Sequence, residues 1–367
     1  MQAVSWSAWA AAESEAIRAA GQWRTVRALA GGGPRFRLGD RDVVSFASND
    51  YLGLSQHPAV VAAARAALER HGAGAGSARL LVGGRPEHDH LEAELAAWKG
   101  QPAALLFTTG FAANLGVLSV LGGLDVTICS DELNHASIID GCRLSRARIE
   151  IYRHGDLDHL DTLLGEAGRA VVVTDTVFSM DGDVADVGAL AARCAGRGAL
   201  LVLDEAHAVL GPDVDAGGEV LRVGTLSKTL GSLGGFVAGP ASLVDLLRNR
   251  ARSFIFTTAP TPADTAAALA ALAVLRSAEG DALVRRLRHH VERVRAGHPS
   301  PIVPFVLGDE QRALDASAAL ADRGLLVPAI RPPTVPAGTS RLRVTLSAAH
   351  TDADVDRLLD ALADLPA

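Results

Sequence analysis

Short, continuous apolar runs alternate with helix-period stretches through the middle of the chain. The runs are ALLFTTG, DVTICSD, IEIYRH, AVVVTDTVFS, ALLVLDEAH and EVLRVGTLS, and the stretches between them include FAANLGVLSVLGG, LDHLDTLLGEA and VGALAARCAG. A strand without polar alternation is covered on both faces, and the intervening helices supply the covers. This predicts an α/β domain over residues 46–240, with a large, mostly parallel sheet and helices on both faces. Ahead of it, MQAVSWSAWAAAESEAIRAAG reads as an amphipathic helix, so residues 1–45 are expected to be an N-terminal helical segment. Beyond it, an Ala/Leu/Arg-rich helical region covers Asp264–Arg295, and HPSPIVP interrupts it. The tail then reads strand, helix, strand, strand, helix. Residues 241–367 are therefore expected to form a small α+β domain.

Composition narrows the function classes. Of the 367 residues, 49% are apolar and 21% charged, as in a soluble globular protein. The net charge of -7 gives no overall basic field for nucleic acid. The N-terminus lacks a basic region ahead of its apolar residues, and no run of ~18 apolar residues occurs, so neither a signal peptide nor a membrane span is expected. Cys129, Cys142 and Cys194 are widely spaced and odd in number. They fit a reducing, cytoplasmic setting, and no metal-ligand spacing is evident.

Candidate chemistry sits where the apolar runs end, which is where open α/β sheets bind ligands. Asp204 closes LLVLD, and His207 follows three residues later. A carboxylate directly after such a strand is costly to bury without a cationic partner. In FTTGFAANLG, Thr109 and Gly110 stand where a strand passes into a helix, and backbone N–H groups at a helix start hold phosphate well. His135 follows another strand in DELNHASIID, and Ser179 lies in VFSMDGD. Lys228, in VGTLSKTLGSLGG, has no charged neighbour in sequence. Taken singly, each has a plainer reading as a cap, a core histidine or a solvated lysine. Together they are the parts of a pyridoxal 5'-phosphate (PLP) site: a lysine for the aldehyde, a carboxylate for the ring nitrogen, a histidine for the ring face and a phosphate cradle.

At this point the chain resembles the α-oxoamine synthases, PLP enzymes of fold type I. The resemblance is carried by FASNDYLGLSQHP, FTTGFAAN, NHASIIDG, VFSMDGD, DEAHAVLG, GTLSKTLGSLGG and RLRVTLSAAH. It implies that Lys228 links covalently to PLP, that Asp204 pairs with the pyridine nitrogen and that His135 stacks on the ring. His207 and Ser179 would bond the ring hydroxyl side. Gly110 and Phe111 would offer backbone contacts to the phosphate, with the hydroxyls of Thr225 and Ser227. Thr257 or Thr258 of a neighbouring subunit would complete that cradle, which implies a homodimer. Arg343 would clamp the amino-acid carboxylate, with Thr345 on the same face of the strand. Asn49 and Tyr51 would line the entrance, and Arg24 is the candidate for an N-terminal substrate contact. The branch it resembles most joins L-alanine to a pimeloyl thioester, on acyl carrier protein or coenzyme A, in biotin biosynthesis. Glycine C-acetyltransferase is the alternative within the family, and a non-catalytic PLP-fold scaffold is the alternative outside catalysis.

Overall fold

The computed structural model describes residues 5–212 and 219–365. A helix over Trp6–Ala19 opens the described chain, capped by Ser5, whose Oγ accepts from the Ala8 amide at 3.2 Å. It buries none of its own residues against the chain, and Trp6 and Trp9 stand exposed. The described residues 20–45 are not helical. They form three antiparallel strands, β1 (Ala30–Gly32), β2 (Arg35–Leu38) and β3 (Arg41–Ser45). Strands this short, with a positive-φ glycine at a turn (Gly39, φ 61°), carry too little periodicity to be read from sequence.

Among the described residues, the central sheet has seven strands: β4 (Ala103–Phe107), β5 (Val126–Asp131), β6 (Arg148–Tyr152), β7 (Arg169–Asp175), β8 (Leu200–Asp204), β9 (Val220–Thr225) and β10 (Gly235–Gly239). Their spatial order is β4-β10-β9-β8-β7-β5-β6. The expected parallel pairing holds from β6 across to β9. The exception is β10, which lies antiparallel between β4 and β9. Both faces of the sheet are covered, as the unalternated runs require. Val171 and Val173 enter an apolar cluster with Val117 and Leu118 of the helix Gly110–Leu121. Val172, between them, points to the other side, among Leu160, Leu164 and Leu190 of the helices Leu157–Glu166 and Val187–Arg197. Burying a valine contributes roughly 1.5–3 kcal/mol, so polar residues are tolerated chiefly at the strand ends. Asp131, Asp175, Asp204 and Thr225 all stand at the C-terminal ends of their strands.

The C-terminal lobe holds β11 (Ile302–Gly308), β12 (Leu325–Leu326), β13 (Ala329–Ile330) and β14 (Ser340–Thr345), with β14 in the middle of an antiparallel β11-β14-β13 sheet. Strand β12 pairs in parallel with β3 instead. Arg35 reinforces that join, donating Nη2 to both oxygens of Asp354 at 2.9 and 2.8 Å. The N-terminal strands therefore pack on the C-terminal lobe. The helical region read as one block is two helices, Pro262–Leu275 and Ala278–Val294, separated by Ser277, which caps the second. All three cysteines are buried and unpaired, and burial pushes the thiols of Cys129 and Cys142 up to about 11. Among the described residues, no helix is long and apolar enough to cross a membrane.

Candidate active site

The strand ends converge on Lys228, which follows β9. Its Nζ lies 2.8 Å from His207 Nε2, and the opposite ring atom, Nδ1, lies 2.5 Å from the Tyr51 hydroxyl. Tyr51 also donates to Asn49 Oδ1 at 3.3 Å, and Arg343 donates Nη2 to that same oxygen at 3.4 Å. One hydrogen-bonded chain thus runs Lys228, His207, Tyr51, Asn49, Arg343. It joins the end of the central sheet to β14 of the C-terminal lobe.

Arg343 is 6% exposed. It donates Nε to the Ser179 carbonyl at 2.5 Å and Nη1 to Thr345 Oγ1 at 2.8 Å. Every acceptor it meets is uncharged, and among the described residues no carboxylate reaches it. A buried guanidinium in that state lacks the counter-charge its desolvation calls for.

The opposite imbalance lies across the site. Asp175 and Asp204 are register partners on β7 and β8, and both are buried. Burial first, and then the charge of Asp204, push the Asp175 carboxyl well above the usual carboxylate range. Asp204 accepts from Asn114 Nδ2 at 2.6 Å and from the Ala206 amide at 2.9 Å. Asp175 accepts from the His135 amide at 2.7 Å, which fixes the start of the helix Ala136–Leu144. His135 caps that helix through Nδ1, and Phe111 stands edge-on to its ring at 6.4 Å. Burial lowers the pKa of His135, with Asp204 opposing and Lys228 adding to the shift. His207 is held well below its ordinary value by burial and then by the Lys228 charge. Burial also lowers Lys228, while Asp204 and Asp175 pull the other way.

A third element completes the site. The helix Gly110–Leu121 begins at Thr109, whose Oγ1 accepts from the Ala112 amide at 3.0 Å. The first-turn amides of Gly110 and Phe111 have no helical acceptor. A Cβ on Gly110 would lie 3.3 Å from Thr225 Cβ, so the helix start and the end of β9 meet closely. Thr225 Oγ1 and Ser227 Oγ lie 2.7 Å apart beside them. Two amides, two hydroxyls and the positive end of a helix dipole form a dianion cradle.

Most of the sequence candidates gather in this cluster, with four differences. Ser179 contributes its carbonyl to Arg343, and its hydroxyl makes no hydrogen bond among the described residues. Tyr51 does not line an entrance: its ring is fully buried, and it reaches the site through its hydroxyl. Arg24 is exposed and joins no member of the cluster, because the segment after the first helix runs without regular structure. Thr257 and Thr258 sit in the loop after Arg252–Ile255 and bond to none of these residues within the chain. Sequence reading overlooked Asp175 and Asn114. Asp175 ends AVVVTD as Asp204 ends LLVLD, so the same signal was present. Asn114 lies inside a helix, where only the fold shows that it faces Asp204. His154 was overlooked as well. It bridges Asp131 (Nδ1, 3.0 Å) and Asp183 (Nε2, 2.8 Å) and packs edge-on to Phe178, which fastens the loop bearing Ser179.

The residues present fit PLP. The cradle matches a phosphate, the buried carboxylates match a protonated ring nitrogen, and Lys228 matches the aldehyde. Comparison with known proteins agrees. The family model for aminotransferase class I and II matches residues 41–362. The 8-amino-7-oxononanoate synthase of Anaeromyxobacter dehalogenans strain 2CP-1 is 51% identical over 387 residues, covering 98% of this chain and 96% of the relative. Among solved structures, SPT (serine palmitoyltransferase) with PLP superposes with a TM-score of 0.88 at 30% identity, covering 96% of this chain and 95% of the other. The 8-amino-7-oxononanoate synthase of Francisella tularensis gives a TM-score of 0.74 at 27% identity, covering 88% of this chain and 96% of the other.

Proposed function

The chain belongs to the aminotransferase class I and II family and is a PLP-dependent acyltransferase of biotin biosynthesis, and from that premise we propose the reaction that it catalyses. It joins L-alanine to a pimeloyl thioester and releases 8-amino-7-oxononanoate, carbon dioxide and the free carrier thiol. The observation that carries this reading is the buried Arg343 guanidinium with only uncharged acceptors, linked through Asn49, Tyr51 and His207 to Lys228. Arg343 can bind one carboxylate and Lys228 engages one amine, the two groups of an α-amino acid.

The side chains then take the following roles. The amides of Gly110 and Phe111, with Thr225 and Ser227, hold the cofactor phosphate. Asp204 holds the protonated ring nitrogen, its carboxylate aimed by Asn114, and His135 covers a ring face. PLP, when bound, supplies an electron sink for the bond that breaks at the substrate Cα. Lys228 Nζ accepts the Cα proton, a role its burial favours because a lowered pKa leaves more of the amine neutral. His207 accepts from or donates to that amine and keeps it aimed. Arg343 binds the alanine carboxylate through two N–H groups, with Thr345 and Ser179 fixing the plane of its fork. Two copies of the chain complete each site, with Thr257 or Thr258 of the neighbour reaching the phosphate. The exposed Leu81, Val82 and Phe256 support such a pairing. The enzyme would work in the cytoplasm.

Incubating the holoenzyme with L-alanine, glycine or L-serine against pimeloyl, acetyl and palmitoyl thioesters, with mass identification of products, tests this. The expected product is 8-amino-7-oxononanoate from alanine and the pimeloyl thioester. Preferred turnover of glycine with the acetyl thioester would overturn the assignment in favour of glycine C-acetyltransferase.

A further inference from the structure

On the side of the C-terminal lobe formed by its last helices, three potential metal-ligating side chains converge. His289 and His290 are adjacent on the helix Ala278–Val294, and Asp352 opens the helix Asp352–Ala363. His290 is buried, 1% exposed, with Nε2 lying 3.1 Å from the His350 carbonyl. A carbonyl only accepts, so Nε2 carries the hydrogen and Nδ1 of the neutral ring is a bare lone pair. That Nδ1 has no hydrogen-bond partner. It faces another acceptor, Asp352 Oδ1, at 3.7 Å, and His289 Nε2 faces the same oxygen at 3.6 Å. One ligand atom from each residue lies within 4.8 Å of the other two. Three potential ligand atoms converge here; one, His290 Nδ1, is buried and unpartnered, while Asp352 Oδ1 also accepts from Arg293 at 3.1 Å.

We propose that His289, His290 and Asp352 form a binding site for a divalent transition-metal ion of the zinc class. Two imidazole nitrogens and one carboxylate oxygen are a borderline donor set that suits Zn²⁺ and Co²⁺, with water in the remaining position. The His350 carbonyl orients His290 in the way backbone carbonyls orient metal-bound histidines. His350 is itself held by donating Nε2 to the Ser45 carbonyl at 2.9 Å. Metal–ligand bonds of about 2.0–2.2 Å require the three atoms to draw closer. His289 is largely exposed and can turn, His290 is the fixed point, and Asp352 would have to exchange its bond from Arg293 for the metal. Two cations lie nearby. Arg293 donates to Asp352 Oδ1 at 3.1 Å and also to Asp356, and the charge of Arg286 reaches His290. These charges oppose any cation, and the nitrogen-rich donor set favours a zinc-class ion over Mg²⁺ and Ca²⁺, which take oxygen ligands. The bound metal would tie the helix Ala278–Val294 to the start of the helix Asp352–Ala363.

The test uses the PLP-loaded enzyme, stripped with chelator and titrated with Co²⁺. One ion per chain is expected, with visible ligand-field absorption that Zn²⁺ abolishes and Mg²⁺ does not. His289→Ala and Asp352→Asn should each weaken binding at least ten-fold. Both positions are exposed and outside the proposed active site, so PLP absorption and turnover should be unchanged. Because Co²⁺ binding is read without turnover, its outcome is independent of the substrate assignment. Unchanged Co²⁺ affinity in both variants, or no Co²⁺ uptake by the wild type below millimolar concentration, would overturn the site.

Discussion

Arg343, which meets only uncharged acceptors, and Asp204, across the site, each make a separable prediction. Arg343→Ala removes the proposed carboxylate clamp and should leave PLP bound with its visible absorption. The apparent alanine affinity should fall by about 2–5 kcal/mol, as for losing one member of a desolvated charge pair. A spectral titration with L-alanine measures this, and a wild-type titration curve would mean that the carboxylate binds elsewhere. Asp204→Asn keeps the shape and removes the charge that holds the ring nitrogen protonated. Turnover should fall at least a hundred-fold, about 2.7 kcal/mol in the barrier, in steady-state assays at saturating PLP. His154 makes a prediction about stability. Its two carboxylate partners raise its pKa from 6.5 to about 10. The proton is bound in the folded chain and lost from the unfolded one between those values, so its contribution is full below pH 6.5, declines as pH rises and is gone above 10. His154→Gln should therefore flatten the fall in denaturant stability between pH 7 and 10. An unchanged pH slope would show that the bridge contributes nothing.

Among the elements, β10 sets the geometry of the cradle. A Cβ on Gly235 would sit 2.4 Å from the Gly110 amide nitrogen and from the Thr109 carbonyl. Gly235→Ala must push the helix start away from β10, and overpacking of this kind costs about 1–3 kcal/mol. We expect weaker PLP binding, measured by dialysis and reconstitution, to exceed any change in melting temperature. This strand also marks where sequence reading stopped. Strands β4 to β9 were legible because buried strands need unbroken apolar runs such as AVVVTD and LLVLD. GGFVAG reads as a flexible continuation of the glycines after Lys228, yet its lack of bulk is what lets it pass between β4 and β9. The strands β1 to β3 were illegible for a related reason: β1 and β2 bury none of their residues, and β3 buries only Val43 to Ser45, too short a run to show periodicity. The site divides the same way. Residues at strand ends announce themselves, whereas Asn114 and His154 matter through partners distant in sequence.

For the whole molecule, the proposed dimer has a direct test. Leu81→Asp combined with Val82→Asp places two charges in an exposed apolar segment and should not disturb the core. Sedimentation should show a shift to monomer, accompanied by loss of PLP if a neighbour's Thr257 or Thr258 completes the cradle. A dimer that persists would move the interface elsewhere. The position of β10 also has a consequence for how the protein is made. Strand β4 ends at Phe107, but the strand that covers its edge begins only at Gly235. On a ribosome adding roughly 5–20 residues per second, the apolar edge ALLF waits on the order of ten seconds for its partner. Over that interval it is an open template for any other strand in the cell. Synthesis slowed between these two points, by rare codons or low temperature, should raise the aggregated fraction, and co-expressed chaperones that cover nascent chains should lower it.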